Sequence, residues 1–429
     1  MMPSRHLPCM TMLVVTAAGC SSSHPSLAPE MPSPDRPNRI PVVVTEAERT
    51  AERRVKESRL SAYMRDRDLD AVVFTTERNL NWITAGGENN IVHAQREAGQ
   101  KLVFIREGPQ TFDKYCVCPN FEYPRLRDEE FVGMGYRFQP FIWHDGEETT
   151  LSSLLANRRT AADGPLTAPV AQVVRGDVFE VDSAALWYPL TTSEIKKYKW
   201  LGRKSAEILD ALARSIEPGL TEFDLQYLIE KEFWYWDIFP TVNLVAVDDR
   251  PVKYKHNPPV GARFEHYCNL NVCVRKWGLV LSFSRLVWVG DRNAELDRLE
   301  LAFEKNARIA AVMWHASRPG ATLGDVIRAA RQAYADEGEP DAWDAHHLGG
   351  MVGYIERINL AGPDDPTPIV SGMSLAWNPT VDGAKVEDTF IVTPAGADPI
   401  APVLEDWPVI EVEIEGTIYR MPGLLVRED

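Results

Sequence analysis

Two stretches of the chain, Ser193–Phe233 and Leu299–Tyr334, repeat one layout: a long amphipathic helix, a Pro-Gly stop and a threonine-started helix. The matching landmarks are Pro218-Gly-Leu-Thr-Glu222 and Pro319-Gly-Ala-Thr-Leu323. In the first copy Ser193 is placed to cap a helix from Glu194, with Leu201, Ile208, Leu209 and Leu212 on its apolar face. Thr221 then caps a helix through Leu225, Leu228 and Ile229. In the second copy Leu299–His315 is helical, and Thr322 opens a helix through Val326, Ile327 and Ala330. Strand-like segments follow each copy: Tyr267–Val274 and Leu279–Trp288, then Met373–Asn378 and Asp388–Thr393. The repeat predicts an internally duplicated domain opening near residue 189.

The half before it alternates strands and helices. A charged helical segment over Glu46–Arg65 precedes the short apolar run Asp70-Ala-Val-Val-Phe-Thr75 and a second strand at Lys101–Ile105. This pattern, continuing to about Val181, predicts an α/β domain over 46–188, with the duplicated domain over 189–429. A formal charge of −16 excludes nucleic acid as partner, because phosphate binding requires a basic face.

Residues 1–20 read as an export signal. Arg5 and His6 precede the apolar run Leu7–Ala18, and Ala17-Ala18-Gly19-Cys20 resembles a bacterial lipobox with Cys20 as the lipidated residue. The Ser- and Pro-rich stretch 21–45 then forms a tether. The expectation is an exported lipoprotein that meets the membrane only through an N-terminal lipid anchor. An ordinary secretory signal is the other reading. Cys116, Cys118, Cys268 and Cys273 have no zinc-knuckle spacing and are expected as buried thiols.

The chemistry concentrates in six segments. Asn271-Val-Cys273 and Ser282-Phe-Ser-Arg285 put Asn271 and Ser282 eleven residues apart, and Gly349-Gly350-Met-Val-Gly353 follows His346-His347. Ala376-Trp-Asn-Pro-Thr380, Lys385-Val-Glu-Asp-Thr389 and Lys253-Tyr-Lys-His-Asn-Pro258 complete the set. In order and spacing they resemble the creatinase, prolidase and methionine aminopeptidase ("pita-bread", M24) family. The resemblance implies a creatinase-like α/β N-terminal domain and a duplicated domain of antiparallel sheet flanked by helices. It also implies a homodimer.

In the metallopeptidases of that family, the positions of Asn271, Ser282, Gly350, Asn378 and Glu387 supply two aspartates, a histidine and two glutamates to a pair of metal ions. Here only Glu387 is a possible ligand. Two divalent cations about 3.5–4 Å apart require several anionic oxygens, so no metal and no other cofactor is expected. The resemblance further gives His256 the place of a histidine that faces the scissile bond, and His346 that of one that contacts substrate. Arg357 matches the arginine with which creatinase binds its substrate carboxylate.

Each of these has a plainer reading. His256 lies on a loop where an inert exposed histidine is common, Arg357 has Glu356 and Asp364 as surface partners, and Asn271, Ser282 and Asn378 are also simple fillers of a dead site. Trp377, beside Asn378, is placed in the pocket wall, with the other tryptophans core or wall. The leading expectation is a metal-independent hydrolase or C–N lyase acting on a small carboxylate-bearing amide, amidine or peptide. Arg357 would anchor the carboxylate, His256 would move protons, and Glu387 with the asparagines would position substrate or water. A pseudo-peptidase that binds without turnover is the alternative, and an Xaa-Pro peptidase the third.

Overall fold

In the computed structural model, residues 41–89, 91 and 96–428 are described. Cys20, the export signal and most of the expected tether lie outside them. Among the described residues no helix is long and apolar enough to cross a membrane.

The N-terminal half is a six-stranded mixed sheet in the order Arg137–Phe141, Phe112–Pro119, Glu97–Arg106, Ala71–Thr76, Thr160–Ala162, Phe179–Glu180. Its central strand, Ala71–Thr76, is buried at every position, as an unbroken apolar run requires when both faces are covered.

The duplication is visible at the level of single hydrogen bonds. Helices Thr192–Ser215 and Glu222–Tyr235 form one pair, Ala294–Ala316 and Leu323–Asp336 the other. In both pairs the second helix starts with a capping box, Thr221 with Asp224 and Thr322 with Asp325. The glycines before them, Gly219 and Gly320, have φ of +97° and +94°, which the Pro-Gly turn demands and other residues resist. Each turn then accepts an isolated strand-like bridge, Thr221 to Arg263 and Thr322 to Pro368. Two expected helix starts are corrected. The first long helix is capped by Thr191, whose hydroxyl and Glu194 form the box, not by Ser193. The third starts at Ala294, capped by Asn293, because the charged turn before Leu299 still closes its backbone bonds.

Each helix pair covers one sheet. Strands Phe239–Val247, Tyr267–Lys276 and Leu279–Val289 are antiparallel, with Leu425–Arg427 added in parallel. The second sheet runs Gly349–Met351, Ser374–Trp377, Asp388–Thr393, Gly396–Pro399. Leu201 and Leu209 pack with Val272 and Leu281, whereas Phe303 and Ala310 pack with Leu375 and Phe390. The sheets are sewn together where Asp388–Thr393 crosses Leu279–Val289. There Ser284 N donates to Glu387 O at 2.9 Å, and Thr389 Oγ1 donates to Ser282 O at 2.8 Å.

The boundary expected at 188/189 separates two sheets but not two cores, since Leu60, Trp82 and Val272 belong to one apolar cluster. A closed charge network crosses it. Lys56 Nζ lies 2.6 Å from Glu52 and 2.9 Å from Glu194, and Lys197 Nζ lies 2.8 Å from Glu52. Tyr354 accepts from Lys56 at 2.9 Å and donates to Glu194 at 2.5 Å. All four charged side chains are essentially without solvent contact, so pairing is what makes their burial tolerable. Cys116, Cys118, Cys268 and Cys273 are buried free thiols.

Candidate functional site

The seam between the two sheets carries the site. Strand pairing puts Cys273 opposite Ser282 and Asn271 opposite Ser284, so period-2 alternation turns these four toward one face. Glu387, the residue before strand Asp388–Thr393, enters that face with its amide held by Ser284 Oγ at 3.1 Å.

Both carboxylate oxygens of Glu387 are engaged. Oε1 accepts from Arg357 Nη2 at 2.6 Å, while Oε2 accepts from Asn271 Nδ2 at 2.7 Å and lies 3.2 Å from Lys385 Nζ. The side chains are 5% (Glu387), 6% (Lys385) and 16% (Arg357) exposed, so these charges interact with little screening. Burial alone would raise the Glu387 carboxyl. The Lys385 and Arg357 charges, with the Asn271 and Arg357 hydrogen bonds, override it and hold the group at about 2. Glu387 is therefore a fixed anion at neutral pH. Arg357 also donates through Nη1 to Ser282 Oγ at 3.0 Å, but its buried Nε has no partner. Its ion pair is with Glu387, thirty residues on, rather than with Glu356 or Asp364.

Next to this pair sit three imidazoles. His256 Nε2 and His346 Nε2 are 3.1 Å apart, and His347 completes a group whose nitrogens all lie within 4.8 Å of one another. Loss of hydration and the nearby Lys385 lower all three, His346 to about 3; His347, with Arg357 as its second cause, falls to about 4. They are neutral at physiological pH, and two buried nitrogens, Nδ1 of His346 and His347, have no partner. Asn378 N donates to Leu348 O at 3.0 Å, one residue beyond His347, and Asn378 Oδ1 is likewise buried without a partner.

The structure thus brings together His256, His346, Asn271, Ser282, Glu387, Arg357 and the Asn378 backbone. Trp377 is a correction. It is 1% exposed, packs in the apolar core and donates through Nε1 to Ser317 Oγ at 2.9 Å. Neighbours on a strand face opposite ways, so the alternation that turns Asn378 one way turns Trp377 the other. Lys385 was not anticipated, nor was the part played by His347. A lysine two residues before Glu387 on an exposed-looking polar run carries no sequence mark of burial.

The donor set does not fit a pair of metal ions. Of the five positions that the resemblance aligns with metal ligands, four hold Asn271, Ser282, Gly350 and Asn378, and the one carboxylate is already compensated by two side-chain cations. Position 350 also lacks room for a ligand: a Cβ there would lie 2.3 Å from Asn359 O.

The histidine cluster has a measurable acid signature. A group whose folded pKa is depressed adds stability above its unfolded pKa and loses it as pH falls. His346 and His347 therefore withdraw stability from about pH 6.5 downward, toward about 3 and 4. Asp388 and Asp210, raised by burial to about 7 and 6, act in the opposite sense, weakening the fold as pH rises. Urea midpoints measured from pH 7 to 4 should fall less steeply in His346→Asn/His347→Asn than in the unaltered protein; parallel curves would refute the assignment.

The architecture of two helix pairs over two joined sheets is the pita-bread fold. Among solved structures the chain resembles the dipeptidase PepE from Mycobacterium ulcerans, with a TM-score of 0.68 at 17% identity, covering 89% of this chain and 99% of that one. The prolidase from Pyrococcus horikoshii OT3 gives 0.66 at 16%, covering 82% and 99%. The N-terminal domain of the FACT complex subunit SPT16 from chickpea (Cicer arietinum) gives 0.61 at 11%, covering 82% and 96%. No curated protein matches the chain in sequence. Residues 196–394 match the model of metallopeptidase family M24.

Proposed function

We propose that the protein binds a small carboxylate-bearing amide or dipeptide and hydrolyses its C–N bond without a two-metal centre. The observation that carries this is the clasp of Glu387 between Arg357 and Lys385, which supplies fixed positive charge from side chains. Two cations against one anion leave the site net positive, and Arg357 Nε faces no protein acceptor, so a substrate carboxylate has a partner there. His256, neutral and in contact with His346, takes a proton from the attacking water and returns it to the leaving nitrogen. Water oxygen bonds to the carbonyl carbon, the C–N bond breaks, and a carboxylate and an amine result. A further structural neighbour, an Xaa-Pro dipeptidase from Bacillus anthracis, makes an Xaa-Pro dipeptide the first substrate to test.

Binding without turnover is favoured by one observation: Glu387, with both oxygens engaged, is not free to activate water. A dipeptide panel assayed by amine release, in EDTA and in Mn²⁺, separates the readings. Release should be insensitive to chelator and should drop by roughly 10²-fold or more in His256→Ala. Binding with no release from any substrate favours the pseudo-peptidase, and release dependent on added metal overturns metal independence.

A further inference from the structure

A second group of cations lies outside the clasp. A cleft of about 540 Å³ is lined by Arg78, Arg96 and Arg275 around Phe239, Val242 and Val280. Its charges are poorly matched by protein partners. Arg78 Nε and Arg275 Nη2 are buried without a hydrogen-bond partner, and the Arg275–Glu77 pair stands at 4.0 Å, too long for a hydrogen bond. Burial raises the Glu77 carboxyl to about 7, so its negative charge is incomplete at neutral pH. Glu356 is the other acid on the wall, which leaves the cleft positive in a chain of net charge −16.

The parts are held rigidly. Arg78 lies on helix Glu77–Ile83, Arg275 pairs with Phe239 at the end of its strand, and Arg96 O accepts from Glu77 N at 3.0 Å. The cleft also shares wall residues with a cavity that reaches Arg357. Arg78 and Ile355 line a neighbouring cavity of about 330 Å³ whose wall includes Arg357 and Ser183. Arg78 and Ile355 therefore border both the arginine cleft and the cavity that reaches Arg357.

We infer that the natural ligand is a dianion, with one carboxylate at Arg357 and a second acidic group in the cleft of Arg78, Arg96 and Arg275. This rests on the carboxylate reading above and narrows it to acidic dipeptides or comparable dicarboxylate amides. Planar guanidinium groups with unpartnered N–H donors on rigid elements suit a second carboxylate, and a neutral side chain would leave them buried and unpaired.

Calorimetric titration of the full chain with glycyl-glutamate and glycyl-glycine tests it. The expectation is tighter binding of glycyl-glutamate by about tenfold or more, a gap that closes in Arg275→Gln and in Arg96→Gln. Arg96 is exposed, so its variant guards against misfolding. Arg357→Gln should weaken both ligands. Equal affinity for the two dipeptides, or a gap that survives both cleft variants, overturns the dianion while leaving the Arg357 reading intact. If neither dipeptide binds but inorganic phosphate binds in an Arg275-dependent way, the carboxylate reading fails and the dianion with it, leaving only an anion cleft. Absence of all binding overturns both.

Discussion

Replacing Glu387 with glutamine should cost about 3 kcal/mol of folding stability, a large fraction of what holds a domain together. The substitution keeps shape and hydrogen-bonding capacity, so cavity terms are minimal. It removes the one carboxylate that pairs with Lys385 among the described residues, and one of the contacts that fix Arg357. Two buried cations then face each other with neutral groups around them. Urea denaturation should show the loss, and Lys385→Met in the same background should recover part of it, because deleting one cation relieves the imbalance. A loss below about 0.5 kcal/mol, the scale of an exposed pair, would mean the clasp is not tight in solution.

The second large effect is expected far from the chemistry. Lys56→Met should destabilise the fold by about 3–5 kcal/mol, since it strands Glu52 and Glu194 as buried carboxylates beside each other. Lys197 alone cannot compensate both; burial has already lowered its ammonium to about 8. The same substitution removes a donor to Tyr354, three residues before Arg357, and so loosens the loop that carries the clasp. Weaker ligand binding should accompany the lost stability. The control is an exposed pair such as Arg292–Glu300, where Arg292→Gln should change stability by less than about 1 kcal/mol. Equal effects at the two places would refute the structural role of the network.

The parts legible in the sequence were those that local physics writes into short windows. Pro-Gly followed by threonine announced both helix pairs, because the left-handed glycine and the hydroxyl cap act within five residues. The strand Asp388–Thr393 was read to the residue, its apolar run being bounded by polar neighbours. The meeting of Asn271, Ser282 and Glu387 at one seam was legible through the spacing of their segments, which the resemblance aligns with one site.

What was not legible depends on long-range partners. Lys385, Lys56 and Lys197 look like ordinary surface charges until the fold brings Glu387, Glu194 and Glu52 to them. The side on which Trp377 falls is set by strand register, which depends on pairing with Gly349 rather than on its own neighbours. The cap at Thr191 was missed for a local reason: Ser193 is also a good cap, and only the reciprocal bond from Glu194 decides between them.

The proposed metal independence rests on Arg357 and Lys385, which neutralise Glu387. Equilibrium dialysis of the purified full chain against Mn²⁺, an ion that prefers oxygen ligands, tests it most directly. No stoichiometric Mn²⁺ should bind at the site, and dipeptide binding should be unchanged by the ion. Two equivalents of bound Mn²⁺, both lost in Glu387→Gln, would contradict metal independence.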